Sequence, residues 1–297
     1  MRADTLLFCC AALLCLAQAA LSQPPAASVE VVPGMAPVID AANLYSEARA
    51  GNLSATVAAA LPRVYVPNLR SNDVTVIDPS TLQVVDRFKV GTNPQHIVPA
   101  WDLQTLWVTN NAEGSTHGSL TPIDPTTAKP GTPIDVDDPY NMYFTPDGKR
   151  FLVADMMADG AFVVDGEHFK EVGFIATGVG THGLYPSRDG THLYVANRGS
   201  NRIHGKRHGP GSVSVIDFAS LSVVQTWPIP GGGSPDMGNV SADGRRLWLS
   251  GRYDDVVYVF DTASGAVQQI PVGQEPHGLA VWPQPGRYSL GHTGNMR

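Results

Sequence analysis

One unit of sequence is written five times in this chain. Its leading strand reads Val64-Tyr65-Val66, Leu106-Trp107-Val108, Phe151-Leu152-Val153, Leu193-Tyr194-Val195 and Leu247-Trp248-Leu249, at intervals of 42, 45, 42 and 54 residues. A second strand ends each time on an apolar residue and Asp: Ile77-Asp78, Ile123-Asp124, Val164-Asp165, Ile216-Asp217 and Phe260-Asp261. A third follows, as in Val84–Phe88 and Val223–Trp227, then a Gly/Pro turn such as Gly91–Pro94, Gly233–Pro235 or Gly273–Pro276. A fourth strand runs into Asp147-Gly148, Asp189-Gly190 or Asp243-Gly244. Alternating apolar residues rich in Val, Ile, Tyr and Trp, cut by turn residues, are strands with one face buried. Asp-Gly tolerates the positive φ of a tight hairpin.

Four short strands in about 45 residues, repeated in tandem, are the pattern of a β-propeller blade. Five in-phase copies weigh against an accidental likeness within a β-sandwich. The expected fold is all-β, a propeller of five recognisable four-stranded blades over residues 62–283. The first unit opens at Arg63 on what is a blade's second strand, and the last ends with a surplus strand, His277–Trp282. That strand is expected to complete the first blade, join the chain ends and remove the free edges that invite aggregation.

Residues 1–22 read as a secretory signal peptide. Arg2 precedes an apolar run, Leu6–Leu16, too short to span a bilayer, and Ala17-Gln18-Ala19 is a small-x-small cleavage site. The expected location is exported, periplasmic or extracellular, with no membrane span. Cys9, Cys10 and Cys15 all lie in that leader. The mature chain then has no disulfide, thiolate ligand or thiol nucleophile. Residues 23–61 form an N-terminal extension, with an Ala-rich stretch, Leu53–Leu61, expected to make one short helix, and residues 284–297 form a C-terminal tail. A net charge of −7 argues against nucleic acid as a partner. Asn52-Leu53-Ser54 and Asn239-Val240-Ser241 match the glycosylation acceptor pattern.

Tyr65–Asn68 (YVPN), Trp107–Asn110 (WVTN) and Tyr194–Asn197 (YVAN) resemble the tetrapeptide of the YVTN-type β-propeller repeat family, which includes surface-layer and periplasmic propellers. Leu152–Asp155 and Trp248–Gly251 depart from it. The resemblance spans residues 62–283 and specifies fold far more than function. Members of the family usually have seven blades. This chain carries five units, so it either closes a narrower ring or leaves an open edge, with the junction near Asp147–Phe151 the place where blades are missing. The group is similar to the propeller of nitrous oxide reductase, which implies copper held by histidines at the axis.

The innermost strand should be the one after the Gly/Pro turn. Its first residues read Gln95-His96, Tyr140-Asn141, His182-Gly183, Asp236-Met237 and His277-Gly278, so three of the chain's nine histidines fall in this narrow window. Converging imidazoles and a carboxylate suit a transition metal such as Cu, Zn or Fe, with His96, His182, Asp236 and His277 as the candidate ligands. The competing reading makes them polar residues that satisfy strand entrances, repeated by duplication. His182, Asp236 and His277 share one column, whereas His96 and Asn141 stand one residue later. Adjacent strand residues face opposite ways, so a common site needs a bulge.

Arg198 and Arg252 fall at equivalent places in their units and suggest an anion site. The insertion Asn201–Gly211 is basic and fits an anionic partner or a solvated hairpin tip. Met156 and Met157 fit soft metal ligands or loop filler. No nucleophile elbow, P-loop, dinucleotide fingerprint, HExxH or EF-hand loop is present in the sequence. Three functions follow: a non-catalytic scaffold binding a protein or small ligand at the channel mouth or loop face; a metal-bearing propeller with a redox or accessory role; and a lactonase-type hydrolase, which needs converging acidic residues.

Overall fold

The computed structural model describes residues 39–40, 43, 45–99, 103–110, 112, 118–135, 143–144, 150–155, 158–165, 171–200 and 210–287. The leader, Tyr140-Asn141, Met156-Met157, most of the 201–211 insertion and the last residues of the tail lie outside these.

Alternating apolar residues pair into five antiparallel sheets. The first is built from β1 (Arg63–Asn68), β2 (Asp73–Asp78), β3 (Gln83–Lys89) and the C-terminal β21 (Ala280–Trp282), in the order β21-β1-β2-β3. The second runs β4 (Pro94–Pro99), β5 (Leu106–Asn110), β6 (Ser119–Asp124), β7 (Lys129–Pro130), and β8 (Ile134–Asp135) also pairs with β6. The third comprises β9 (Tyr143–Phe144), β10 (Arg150–Asp155), β11 (Gly160–Asp165) and β12 (Glu171–Ala176). The fourth holds β13 (Thr181–Pro186), β14 (His192–Asn197), β15 (Ser212–Asp217) and β16 (Ser222–Pro228). The fifth holds β17 (Pro235–Val240), β18 (Arg246–Gly251), β19 (Val256–Asp261) and β20 (Val267–Pro271).

Burial grades across each sheet as the sequence pattern requires. Every residue of β17 is buried, whereas β3 and β16 are mostly exposed. The strand after the Gly/Pro turn is therefore the inner one. Apolar clusters weld neighbouring sheets rather than fill one sheet alone. Val76 and Tyr65 pack with Ile97 and Leu106 between the first and second, Leu152 with Leu193 between the third and fourth, and Trp227 with Phe260 between the fourth and fifth. Trp248 and Val259 pack with Val64 and Val281 between the fifth and the first.

The tetrapeptide Asn has a structural duty. Asn68 Nδ2 donates to Asp73 and Thr75, Asn110 Nδ2 to Ser119 and Thr121, and Asn197 Nδ2 to Ser212 and Ser214, each linking two strands of its sheet. A turn glycine from the preceding sheet presses on that Asn. A Cβ on Gly91 would stand 2.8 Å from Asn110, one on Gly178 2.8 Å from Asn197, and one on Gly273 2.5 Å from Asn68. In the fifth sheet Gly251 replaces the Asn, and the Tyr258 ring fills the space beside Gly233 and Gly251. The repeated Asp is also structural: Asp78, Asp124, Asp217 and Asp261 accept backbone N–H groups of the following turn.

Leu53–Leu61 does not make the expected helix beyond one 3-10 turn, Ala55–Val57, capped by Ser54, and another such turn, Ser46–Ala48, precedes it. The extension meets the chain's other end instead: Gly286 N donates to Asn52 O, and Arg287 pairs with Glu47. Asn239 is buried at 6% exposure and shields its amide within the fold, so it is no glycan acceptor, while Asn52 is exposed. Among the described residues no helix is long and apolar enough to cross a membrane.

Candidate functional site at the mouth of the inner strands

In the second, fourth and fifth sheets the inner strand begins opposite the end of the next strand. Pro94 pairs with Asn110, Thr181 with Asn197, and Pro235 with Gly251. Residues at the start of an inner strand therefore share one end of the sheet with the residue just past the second strand. This places His182 near Arg198, and Asp236 near Arg252.

The one-residue offset is resolved by bulges. Register shifts fall between Pro94 and His96, between Thr181 and Leu184, and between Pro235 and Gly238. Each of these three inner strands carries one extra residue just where the polar side chains stand, and a bulge re-aims a side chain at the cost of local pairing. Glycines make the crowding possible. A Cβ on Gly183 would lie 2.5 Å from the Asp236 carbonyl, and one on Gly278 would strike His96 Nδ1. Gly278 N in turn donates to Gln95 O at 2.6 Å, which clamps the His277 segment to β4.

Three of the four candidate ligands meet at Asp236, and the fourth, His96, lies against the His277 ring. Asp236 is fully buried, with Oδ1 2.8 Å from His182 Nδ1 and Oδ2 3.4 Å from His277 Nε2. The His277 ring lies 5.0 Å from His96 and 6.1 Å from His182, centroid to centroid. Asn141, the remaining polar member of the window, lies outside the described residues. His277 is fully buried, and neither ring nitrogen makes a hydrogen bond among the described residues. The same holds for both Asp236 oxygens, whose neighbours are close but poorly aligned.

Two guanidiniums complete the cluster. Arg198 Nε stands 3.4 Å from Asp236 Oδ1 and Arg252 Nη1 3.8 Å from Oδ2, both side chains at most 5% exposed. Tyr253 holds them. Arg198 Nη2 donates to its hydroxyl at 2.7 Å, and both guanidinium carbons lie over its ring, at 5.4 and 5.9 Å. Glu275 accepts from Arg252 Nε at 3.2 Å and, at the rim, from Arg70 Nε at 2.8 Å. The equivalence of Arg198 and Arg252 was visible in the repeat. Tyr253 and Glu275 lie in turns that vary between units, so no repeat signal marks them.

Burial pushes the Asp236 carboxyl up, but Arg198 foremost, with His182 and His277, outweighs it and holds the group well below the usual carboxylate range. For His277 burial dominates over the pull of Asp236, with Arg252 adding to it, and the ring stays well below the ordinary imidazole value. It is a neutral imidazole at neutral pH, the form that ligates metals. As the side chains stand, no group of three or more His, Cys, Asp or Glu among the described residues is arranged to hold a metal ion. Among the described residues the carboxylate cluster that a lactonase-type site needs is not assembled either: Asp236 has nitrogen groups about it, and Glu275 faces it across Arg252.

The fold and this end-of-strand geometry define a β-propeller. The chain belongs to the YNCE-like beta-propeller family, whose profile matches residues 23–161 and 156–285. Among solved structures it is similar to a functionally unknown protein from Desulfotomaculum acetoxidans DSM 771, at 12% identity and a TM-score of 0.52, over 74% of this chain and 99% of that one. That likeness is one of fold alone. A match to Kuenenia stuttgartiensis hydrazine synthase, 18% identical over 73% of this chain and 85% of that one, has a TM-score of 0.29, too loose to bear on this chain. No curated protein matches the sequence.

Proposed function

We propose that the chain is an exported five-bladed propeller, its ring closed by Ala280–Trp282, that binds a transition-metal ion at the mouth of its axis. The observation that carries the site is the convergence of His182 and His277 on the buried Asp236, with His96 edge-on to the His277 ring. Three imidazoles and one carboxylate are an N/O donor set suited to Zn, Cu or Fe. Two donor pairs, His182–Asp236 and His277–Asp236, stand 2.8 and 3.4 Å apart, and the side chains must rearrange before three donors face one ion. Bound there, the ion supplies Lewis acidity or, for Cu and Fe, one-electron chemistry. Export rests on the apolar leader and on the lack of Cys after residue 15. Closure is supported by the pairing of β1 with β21, by the apolar cluster joining the fifth sheet to the first, and by the Gly273–Asn68 contact.

The test is elemental analysis of purified residues 23–297 beside a His182→Ala/His277→Ala double variant. Stoichiometric Cu, Zn or Fe in the parent and its loss from a folded variant is the expected result. A parent that holds no metal after incubation with each ion overturns the reading. What then stands is a non-catalytic scaffold that binds a protein or small ligand at the same mouth or on the loop face, to be identified by pull-down.

A further inference from the structure

The extension before β1 runs round the sheets at the end remote from the mouth. Leu61 N donates to Pro125 O in the second sheet, and Val57 packs between the first and the second. Leu53 bridges to Pro285 and Gly286, just past β21 of the first. Gly51 N donates to Ala242 O, in the turn between β17 and β18 of the fifth. Asn43 lies against Gly190, in the turn between β13 and β14 of the fourth. Followed toward the N-terminus, this strap visits the second, first, fifth and fourth sheets in turn. The third sheet comes next, and after it the junction between the third and the second.

That junction differs from the other four. Among the described residues no apolar cluster joins its two sheets. On the face that each sheet turns to the one after it, Tyr65, Leu152, Tyr194 and Trp248 are at most 7% exposed, whereas Trp107 of the second sheet is only partly buried. Leu120 and Pro122 beside it are partly buried too, where the matching Val74 and Val76, or Val213 and Val215, are closed off. Trp107 pairs with Pro122 near the end of the sheet along which the strap runs. Across the junction, Phe162 is on the face of the third sheet opposite Val163, which packs toward the fourth. Its ring lies 5.1 Å from that of Phe174, which is 44% exposed. In the first, fourth and fifth sheets the residues that match Phe174 are Arg87, Thr226 and Gln269, so an apolar side chain there is particular to this junction.

We propose that residues 27–38 carry the strap on beneath the third sheet and seal this junction, with Val29 and Val31 against Trp107 and Pro122 on one side and Phe162 and Phe174 on the other. The step from Gly51 to Asn43, from the fifth sheet to the fourth, takes eight residues. The same pitch brings residue 35 to the third sheet and residues 27–34 to the junction. Residues 28–32 read SVEVV and are followed by Pro33-Gly34, which is the alternation of a half-buried strand ended by a turn. Covering the exposed rings removes apolar surface from water, and that is the driving force. The seal closes the one junction that neither Ala280–Trp282 nor the sheet-on-sheet clusters make, and it does not depend on a metal.

After the leader the chain has no cysteine, so one introduced thiol reports one position. Phe174→Cys is labelled with a maleimide in residues 23–297 and in residues 39–297, and mass spectrometry gives the rates. Val85→Cys, at a position 50% exposed on β3, is the control. Phe174→Cys is expected to react about tenfold faster in the shorter chain, as for a cover in place about nine-tenths of the time, and a synthetic peptide of residues 23–38 slows it again. Val85→Cys reacts alike in both. The full chain with Val29→Asp/Val31→Asp is expected to label as fast as the shorter one, and replaces it should residues 39–297 fail to fold. Equal Phe174→Cys rates in the long and short chains overturn the inference, and so does slow labelling in the folded aspartate variant. Protection that disappears on dilution of the full chain makes a second copy the cover and overturns it as well.

Discussion

Gly273, in the turn leaving the fifth sheet, lies against the side chain of Asn68 in the first, so that a Cβ there would stand 2.5 Å from Asn68 Cγ. Asn68 cannot move aside cheaply, because its amide is tied to Asp73 and Thr75 at 2.9 Å each. The same contact recurs between Gly91 and Asn110, and between Gly178 and Asn197. If the ring closes, the junction of the last sheet on the first is built like any other. Gly273→Ala is then expected to cost about 1–3 kcal/mol by overpacking, and Gly91→Ala a similar amount. Urea denaturation of both variants measures it. A neutral Gly273→Ala beside a damaging Gly91→Ala means that the fifth and first sheets are not packed in solution.

The tetrapeptide Asn makes a separate prediction. Asn197→Ala removes donations to Ser212 and Ser214 at 3.1 and 2.9 Å, and an acceptor for Gly178 N at 3.2 Å. Buried groups left unpaired cost about 1–3 kcal/mol. Asn197→Asp keeps the acceptor but loses the donor, and buries a charge beside two hydroxyl groups, so it is expected to be no milder. Midpoints from thermal denaturation at pH 7 check the order; an alanine variant as stable as the parent removes the Asn from the list of supports.

The repeat was legible because a half-buried strand must alternate apolar and polar residues, and that constraint writes itself into Val64–Val66 and its four copies. The inner strands were legible from the Gly/Pro turns before them. The offset of His96 from the column of His182 and Asp236 was visible too, but its resolution was not. A bulge at Gln95 depends on backbone packing against Gly278, across chain ends far apart in sequence. Tyr253 and Glu275 were hidden because their roles come from proximity to Arg198 and Arg252, not from any motif. The Asn239 sequence pattern misled for a related reason: the pattern is local, while its burial comes from β17 lying innermost.

Removing the anion at the centre is expected to be more damaging than removing a ligand beside it. Asp236→Asn takes from the buried Arg198 and Arg252 the carboxylate between them, and breaking a buried ion pair from one side costs about 3–5 kcal/mol. Coupled replacement of Asp236→Asn with Arg198→Met removes one charge of each sign and is expected to recover part of that loss. A double-mutant cycle on urea midpoints tests it. Additive effects mean the charges do not act on each other through the site.

The pH dependence of the metal-stripped protein follows from two shifts of the same sign. His277 has its folded value held well below 6.5, so between the two values the unfolded chain binds a proton that the folded one does not. Its contribution to stability is present above about pH 6.5 and declines as the pH falls below that value. Asp236 is held well below 3.8, so it adds stability above the unfolded carboxylate value, lost as the pH falls through the folded one. Stability therefore falls in two stages on acidification, the first below about pH 6.5 and the second below about pH 4. His277→Gln, which cannot titrate, flattens the first stage and leaves the second. Melting temperatures of parent and variant between pH 7.5 and pH 3 measure both. If the two profiles stay parallel through the upper range, His277 is not the group that titrates there, and its buried, neutral state is wrong.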